Sequence, residues 1–464
     1  MTTDTLKIDA ENANHAPIIA AGAAKRDITP PLEVGLLMSS VEGKWMPFED
    51  VRQELFARAI VLRGESASGA IERVAIVSLD LLALSGEALG GFAEFKSRIV
   101  AAAGNCVHAD EIVLACTHTH SAPESGALTS LYQTADYAGW LHYLILQVGQ
   151  AIQAAHASGV PCQLSYGTAP AGGLGIHRRF KTTHGIMMSH PEPAADVLVS
   201  RDGVVDDSVN ILAFRDRAGA LKAVVVNATC HPVYEMCIPQ VSPDFPGELA
   251  AILDEQHPGA VAVFLNGAAG NVNPQGVSAG PSESRRHAES LGRIVNDILR
   301  TSTLEPAPYM KLSRNAFELS TRLPNGEDVG VSLRTEITAL QLGSAAIVFI
   351  PGEPFAETAL AIRQASVFEL TAVVGFSEET IGYIPTDQAY IEGGYETDFG
   401  KWSFLSPGSE MRIQRGALSL LEGLVTGVDE ILSQTEAVSP VPGNGTIAQA
   451  SNDRRTSTLR GGAL

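Results

Sequence analysis

Short apolar runs rich in β-branched residues alternate with segments of helical period along most of this chain. That alternation restricts the fold to a mixed α/β body. Strands are expected at Arg58–Leu62, Arg73–Leu82, Ile112–Cys116, Ala223–Asn227, Val261–Leu265 and Ala345–Ile350, each bounded by turn residues or ending in a polar group. Helices are expected over Tyr137–His156, where Leu141, Leu144, Ile145, Val148 and Ile152 recur at three- and four-residue intervals, over Arg285–Leu299, and over Met411–Leu432. Asp244-Phe245-Pro246-Gly247 reads as a helix start with an acidic cap, and His257-Pro258-Gly259 as its stop. The prediction is one α/β body, a mixed β-sheet flanked by helices with its active site at strand ends. It spans residues 19–434, between a flexible leader over 1–18 and a disordered tail over 435–464 that is rich in Pro, Gly, Ser, Thr and Arg.

With 464 residues, 45% of them hydrophobic, the chain has ample material for a core. Its 52 acidic residues against 32 basic ones give a net charge of -20, which excludes nucleic acid or an anionic membrane surface as the main partner. Five cysteines without a C-x-x-C pair read as free thiols of a reducing compartment. The N-terminal residues lack a basic start followed by an apolar core, and no apolar stretch is long enough to span a bilayer. A cytoplasmic enzyme without stable membrane insertion is expected, acting on a small-molecule or lipid-like acyl substrate, with homo-oligomerisation left open.

Four of the apolar runs end in chemically useful groups. Ile112–Cys116 leads into Thr117-His118-Thr119-His120-Ser121-Ala122-Pro123, and an extended chain would point His118 and His120 to the same side. Ala223–Asn227 leads to His231, Val261–Leu265 to the loop Asn266-Gly267-Ala268-Ala269-Gly270-Asn271, and Ala345–Ile350 to Glu353. Paired imidazoles at a strand end bind a metal, pass protons, do one of each, or merely form a polar rim. His231 before a proline also suits a turn, and Glu353 a helix N-terminus. The usual hydrolase signatures H-E-x-x-H and G-x-S-x-G are absent, as are a Walker A loop and a complete G-x-G-x-x-G. Met187 and Met188 beside His190 read as packing or loop residues. Three nitrogen or oxygen ligands with an open fourth position are the usual outfit of a hydrolytic zinc site.

Thr117 to Pro123 resembles the T-H-T-H-S-x-P signature of the neutral, non-lysosomal ceramidases, which are zinc amidases. Ala21 to Pro31 is similar to the start of that family, and the resemblance runs to about residue 430. It implies that His118, His231 in Ala228-Thr229-Cys230-His231-Pro232, Glu353 in Pro351-Gly352-Glu353 and Tyr383 in Gly382-Tyr383-Ile384-Pro385-Thr386 are the metal ligands. It further implies that Tyr395, twelve residues later, and Arg178 in His177-Arg178-Arg179 contact the substrate.

Three departures bear on function. The family loop ending in G-D-x-S-P reads Gly270-Asn271-Val272-Asn273-Pro274 here, so no serine nucleophile stands at that position. A family-type secretion signal and a C-terminal immunoglobulin-like domain are not expected. The resulting expectation is a Zn²⁺-dependent hydrolase cleaving an N-acyl amide, with His120, Tyr395 and Arg178 as catalytic groups. Asp80 and Asp244 are candidates to orient ligands. An ester or lactone hydrolase acting on a small polar substrate is the alternative, and a non-catalytic binding homologue a third reading.

Overall fold

The structure, a computed structural model, describes residues 18–39 and 44–426. The leader expected over 1–18, save its last residue, the tail over 435–464 and the end of the body beyond 426 lie outside the described residues. No helix among the described residues is long and apolar enough to cross a membrane.

Among the described residues, thirteen strands join in one mixed sheet. In chain order they are β1 (Ile19–Asp27), β2 (Phe56–Glu65), β3 (Ile71–Leu79), β4 (Ile112–Cys116), β5 (Val160–Pro170), β6 (Ser208–Asp216), β7 (Leu221–Ala228), β8 (Val261–Asn266), β9 (Thr303–Leu304), β10 (Met310–Arg322), β11 (Asp328–Leu342), β12 (Ala345–Pro351) and β13 (Leu370–Ser377). Their order across the sheet is β8-β7-β6-β5-β1-β2-β3-β4-β13-β12-β11-β10, with β9 against β5. Every strand expected from the sequence is present, Arg73–Leu82 ending at Leu79.

The sheet folds back on itself. One apolar core combines Ile60, Ile76 and Val113 from the middle strands with Phe214, Val225 and Val263 from one flank and Phe349 and Val374 from the other. Alternate residues face outward, as the two-residue period of a strand requires. On one outer face Val77, Ile112 and Leu114 pack under α1 (Phe92–Ala102) and α2 (Ala135–Ala157). On another, Val224 and Val226 pack under α3 (Asp244–Gln256) and α4 (Pro281–Thr301). Val348 and Ile350 pack under α5 (Ala356–Ala365) and α6 (Ser409–Thr426). The layers are helices, sheet, sheet and helices, and the expected mixed sheet flanked by helices is what forms.

Two features of the pairing place the strand ends together. The β7–β8 and β12–β13 pairs are parallel, so each pair delivers both carboxyl ends to one side. The antiparallel strands β4 and β13 touch only at their carboxyl ends, through Ala115 and Ser377. The residues that follow β4, β7, β8, β12 and β13 therefore crowd one region, where open α/β sheets build their sites.

Helix α4 carries a buried histidine with a measurable consequence. His287 stacks on Phe245 with ring centroids 4.1 Å apart, and its Nδ1 lies 3.3 Å from the Tyr234 hydroxyl. Burial pushes its pKa down to about 3. The unfolded chain binds a proton near pH 6.5 that the folded chain refuses until about pH 3, so stability falls as pH drops through that window. His287→Phe is expected to reduce the slope of unfolding free energy against pH there by about 1.4 kcal/mol per pH unit, as read by denaturant titration.

Candidate metal centre

His118 does not extend β4. The strand ends at Cys116, the amides of Thr117 and His118 turn back to the Leu79 and Leu81 carbonyls, and His118 adopts φ 70°. An extended run was expected to aim His118 and His120 in parallel. Instead the left-handed turn sets their rings edge to face, 5.0 Å apart. Left-handed backbone is costly for a β-carbon residue and persists where surrounding structure enforces it. Here Phe376, itself at φ 52°, stacks on the His118 ring with centroids 4.0 Å apart.

Across the gap, His231 follows β7. Its Nε2 lies 3.1 Å from His118 Nε2, and both nitrogens lie 3.5 Å from Glu353 Oε2. Each imidazole has its tautomer set by backbone. His118 Nδ1 donates to the Leu82 carbonyl and His231 Nδ1 to the Ala269 carbonyl, both at 2.7 Å. A carbonyl only accepts, so each Nδ1 carries the proton and each Nε2 presents a lone pair. Burial first, then neighbouring positive groups, pushes His118, His120 and His231 well below the ordinary imidazole pKa, which keeps them neutral at pH 7; at His118 the Glu353 carboxylate opposes the shift without overcoming it.

Two buried lone pairs and a carboxylate oxygen without a hydrogen-bond partner thus face one another. Arg178 Nη1 approaches His231 Nε2 at 3.2 Å, but His118 Nε2 and Glu353 Oε2 gain no donor from it, and a cation among the three would compensate them. Ligands about 2.0–2.1 Å from a tetrahedral ion lie about 3.3 Å apart, and edges of 3.1, 3.5 and 3.5 Å bracket that spacing. The residues fit a divalent cation. His120 also lies close, the nearest ligand atoms of His118, His120 and His231 falling within 4.8 Å of one another, but its Nε2 is buried without a partner. Glu353 closes the tighter triangle with His118 and His231, and His120 stands beside it.

Secondary contacts hold these pieces in register. Asn266, at the end of β8, donates to the carbonyls of Thr117 and Cys230 at 3.1 and 3.0 Å, tying the His118 segment to the His231 segment. Gly270 donates its amide to the Pro354 carbonyl, and a β-carbon there would lie 2.5 Å from the Glu353 carbonyl. Glu353 and Tyr383 are direct partners in a short parallel pair, which sets the tyrosine beside the carboxylate. Burial raises the Tyr383 hydroxyl well above its ordinary pKa, the Arg178 charge opposing the shift.

Arg178 is buried with its guanidinium 5.3 Å from the Tyr383 ring centre and 6.0 Å from that of Tyr395. Its Nη1 lies 3.2 Å from His231 Nε2, Nη2 makes no hydrogen bond, and Nε donates to Glu396 at 2.7 Å. Tyr395 stacks on Trp402 and crosses Tyr383 edge to face. His120, Arg178, Asn273, Tyr383 and Tyr395 share a cavity of about 230 Å³ with Met188 and Met236. A larger cleft, about 590 Å³ between α1 and the β10–β11 hairpin, lies away from this histidine cluster.

The structure brings together His118, His120, His231, Glu353, Tyr383, Tyr395 and Arg178. It does not bring Asp80 or Asp244 to the ligands. Asp80 accepts the Phe56 amide, and Asp244 the amides of Glu235 and Phe245; burial raises them to about 6 and about 7. Backbone carbonyls do the orienting instead. Asn266, Phe376 and Glu396 were missed by sequence reasoning, and Met188, read as a packing or loop residue, lines the cavity together with His190. Asn266 alone offered a hint, as a polar residue ending a buried strand.

Taken together, these observations describe a curled, helix-covered mixed sheet with a corner whose donor set fits a divalent cation. The fold is that of neutral ceramidase. The crystal structure of neutral ceramidase from Pseudomonas aeruginosa superposes with a TM-score of 0.67 at 19% sequence identity, covering 88% of this chain and 75% of that one. A ceramidase complexed with C2 matches with TM-score 0.67 at 19% identity, covering 88% and 76%. No family model matches the sequence, and no curated protein is significantly similar to it.

The corner is expected to bind about one divalent ion per chain. Elemental analysis after gel filtration is expected to show that ion lost in His118→Ala and His231→Ala, with far-UV circular dichroism unchanged. A wild-type chain that takes up no metal on dialysis against it would contradict the assignment.

Proposed function

We propose that this chain is a zinc-dependent hydrolase of the neutral ceramidase type, cleaving an N-acyl amide bond. The observation that carries the reading is the facing of His118 Nε2, His231 Nε2 and Glu353 Oε2 at 3.1–3.5 Å, a donor set suited to zinc. Tyr383 is proposed as the fourth ligand, on the strength of its strand pairing with Glu353 and of the family resemblance. A zinc ion held by these residues would supply the Lewis acidity that makes water nucleophilic near neutral pH.

The side chains around that corner divide the remaining work. Arg178, which lines the cavity and whose Nη2 makes no hydrogen bond, and Tyr395 would donate to the scissile carbonyl oxygen as charge develops on it, an effect worth about 3 kcal/mol per well-placed donor. His120, whose Nε2 has no hydrogen-bond partner, is proposed to take a proton and return it to the leaving nitrogen. Asn273 lines the same cavity where a serine would be needed for covalent catalysis, and an amide cannot serve as that nucleophile. Asn273→Ala is therefore expected to keep kcat within about tenfold of wild type. Glu353→Ala, which opens the metal corner, is expected to lower kcat by on the order of a thousandfold or more. An acyl-enzyme trapped on any Ser or Thr would contradict direct hydrolysis.

The substrate is proposed to carry a compact acyl group, an amide before an ester or lactone. A cavity of about 230 Å³ is small against the roughly 300–1,000 Å³ of drug-sized sites, and a net charge of -20 opposes docking on anionic lipid. Across N-acyl substrates of increasing length, kcat/KM is expected to level off or fall beyond short chains. A climb of about tenfold for every two methylenes, near 0.8 kcal/mol each, would reveal a lipid tunnel and reverse the preference.

A further inference from the structure

Two orphans share the site. Arg178 Nη2 is a buried cationic donor with no hydrogen bond, and Glu353 Oε2 is a buried anionic acceptor with none, yet the two groups do not pair. The Glu353 charge acts on Arg178, and a guanidinium and a carboxylate free to approach each other close into a charge-assisted bond. The contacts on the far side of Arg178 explain why they stay apart. Its Nε donates to Glu396 Oε1 at 2.7 Å, while Arg179 Nη1 holds Glu396 Oε2 at 2.5 Å. Arg179 is in turn fixed by the Gly393 carbonyl at 2.7 Å, and the Glu396 carbonyl accepts from Ser403 Oγ at 2.8 Å. Glu396 is 0% exposed, and both arginines are buried. The planes of Tyr383 and Tyr395 lie against the guanidinium on the cavity side.

We propose that Glu396 is a positioning residue that retains Arg178 at the cavity and away from Glu353, so that the Glu353 oxygen stays available to the metal. The inference rests on the metal-site reading and on nothing about the substrate. Glu396 carries one carboxylate between two arginines, so the pair keeps a net positive charge. The Arg178 Nη groups, held by their base at Nε, can reach His231 and the cavity but not swing to Glu353. When that tether is removed, the nearest carboxylate without a partner is the metal ligand itself. Glu396 would then act on zinc only through Arg178, which separates this role from a general structural one.

The test is zinc affinity of the full chain, measured by competition with a chromophoric chelator, in wild type, Glu396→Gln, Arg178→Ala and the double variant. Glu396→Gln is expected to raise the zinc dissociation constant by about tenfold or more. Arg178→Ala should bind zinc within about threefold of wild type, and the double variant should return to that range because the competing cation is gone. Glu396→Gln binding zinc like wild type overturns the proposal, as does a double variant that stays as weak as Glu396→Gln. Should Glu396→Gln fail to fold, Glu396→Asp shortens the tether while keeping its charge and takes its place in the same comparison, with the same signs of change. A wild-type chain that binds no zinc overturns both this proposal and the metal-site reading.

Discussion

The arrangement on which the site depends is the opposition of two imidazole lone pairs across 3.1 Å, with a carboxylate oxygen 3.5 Å from each. Arg178 Nη1 donates to His231 Nε2 at 3.2 Å, but that contact leaves His118 Nε2 and Glu353 Oε2 without a donor. The Leu82 and Ala269 carbonyls occupy the two Nδ1–H groups, so neither ring can turn its proton inward without abandoning a buried hydrogen bond. Glu353 Oε2 has no donor of its own. The backbone therefore enforces a concentration of electron density that a cation neutralises, and this preorganisation is what a metal site requires.

The folded-back sheet supplies the enforcement. His118, His231 and Glu353 follow β4, β7 and β12, which belong to separate stretches of sequence and to different parts of the sheet. They meet because parallel pairs send their carboxyl ends to one side, and because β4 and β13 touch only at theirs. Asn266 then bridges the two histidine segments directly. The left-handed backbone at His118 and at Phe376 is strain located at the point of use. It turns one ring toward the site and sets the other against it as a wall.

Much of this was legible in the sequence, for physical reasons. Apolar runs with a two-residue period announce strands, and His118, His231 and Glu353 stood out because each interrupts the apolar pattern at a strand end. Their convergence was not legible. It depends on a turn at His118 that an extended reading of Cys116 to His120 predicts wrongly, and on how the sheet curls, which no local pattern encodes. Asp80 and Asp244 drew attention as carboxylates near strand or helix ends, but they serve backbone amides, while plain carbonyls orient the ligands. Glu396 was overlooked because a glutamate after a tyrosine in a loop looks ordinary until two arginines are found on it. The family resemblance marked Tyr383, Tyr395 and Arg178, and the structure gathers all three around one cavity with His120.

The central claim is that His118, His231 and Glu353 hold one metal ion together. Its most direct test is a crystal structure of the zinc-loaded chain with data collected on both sides of the zinc absorption edge. The account predicts one strong anomalous peak about 2.0–2.2 Å from His118 Nε2, His231 Nε2 and a Glu353 carboxylate oxygen. A peak bound by His120 without Glu353, or no peak within reach of these three atoms, would contradict it.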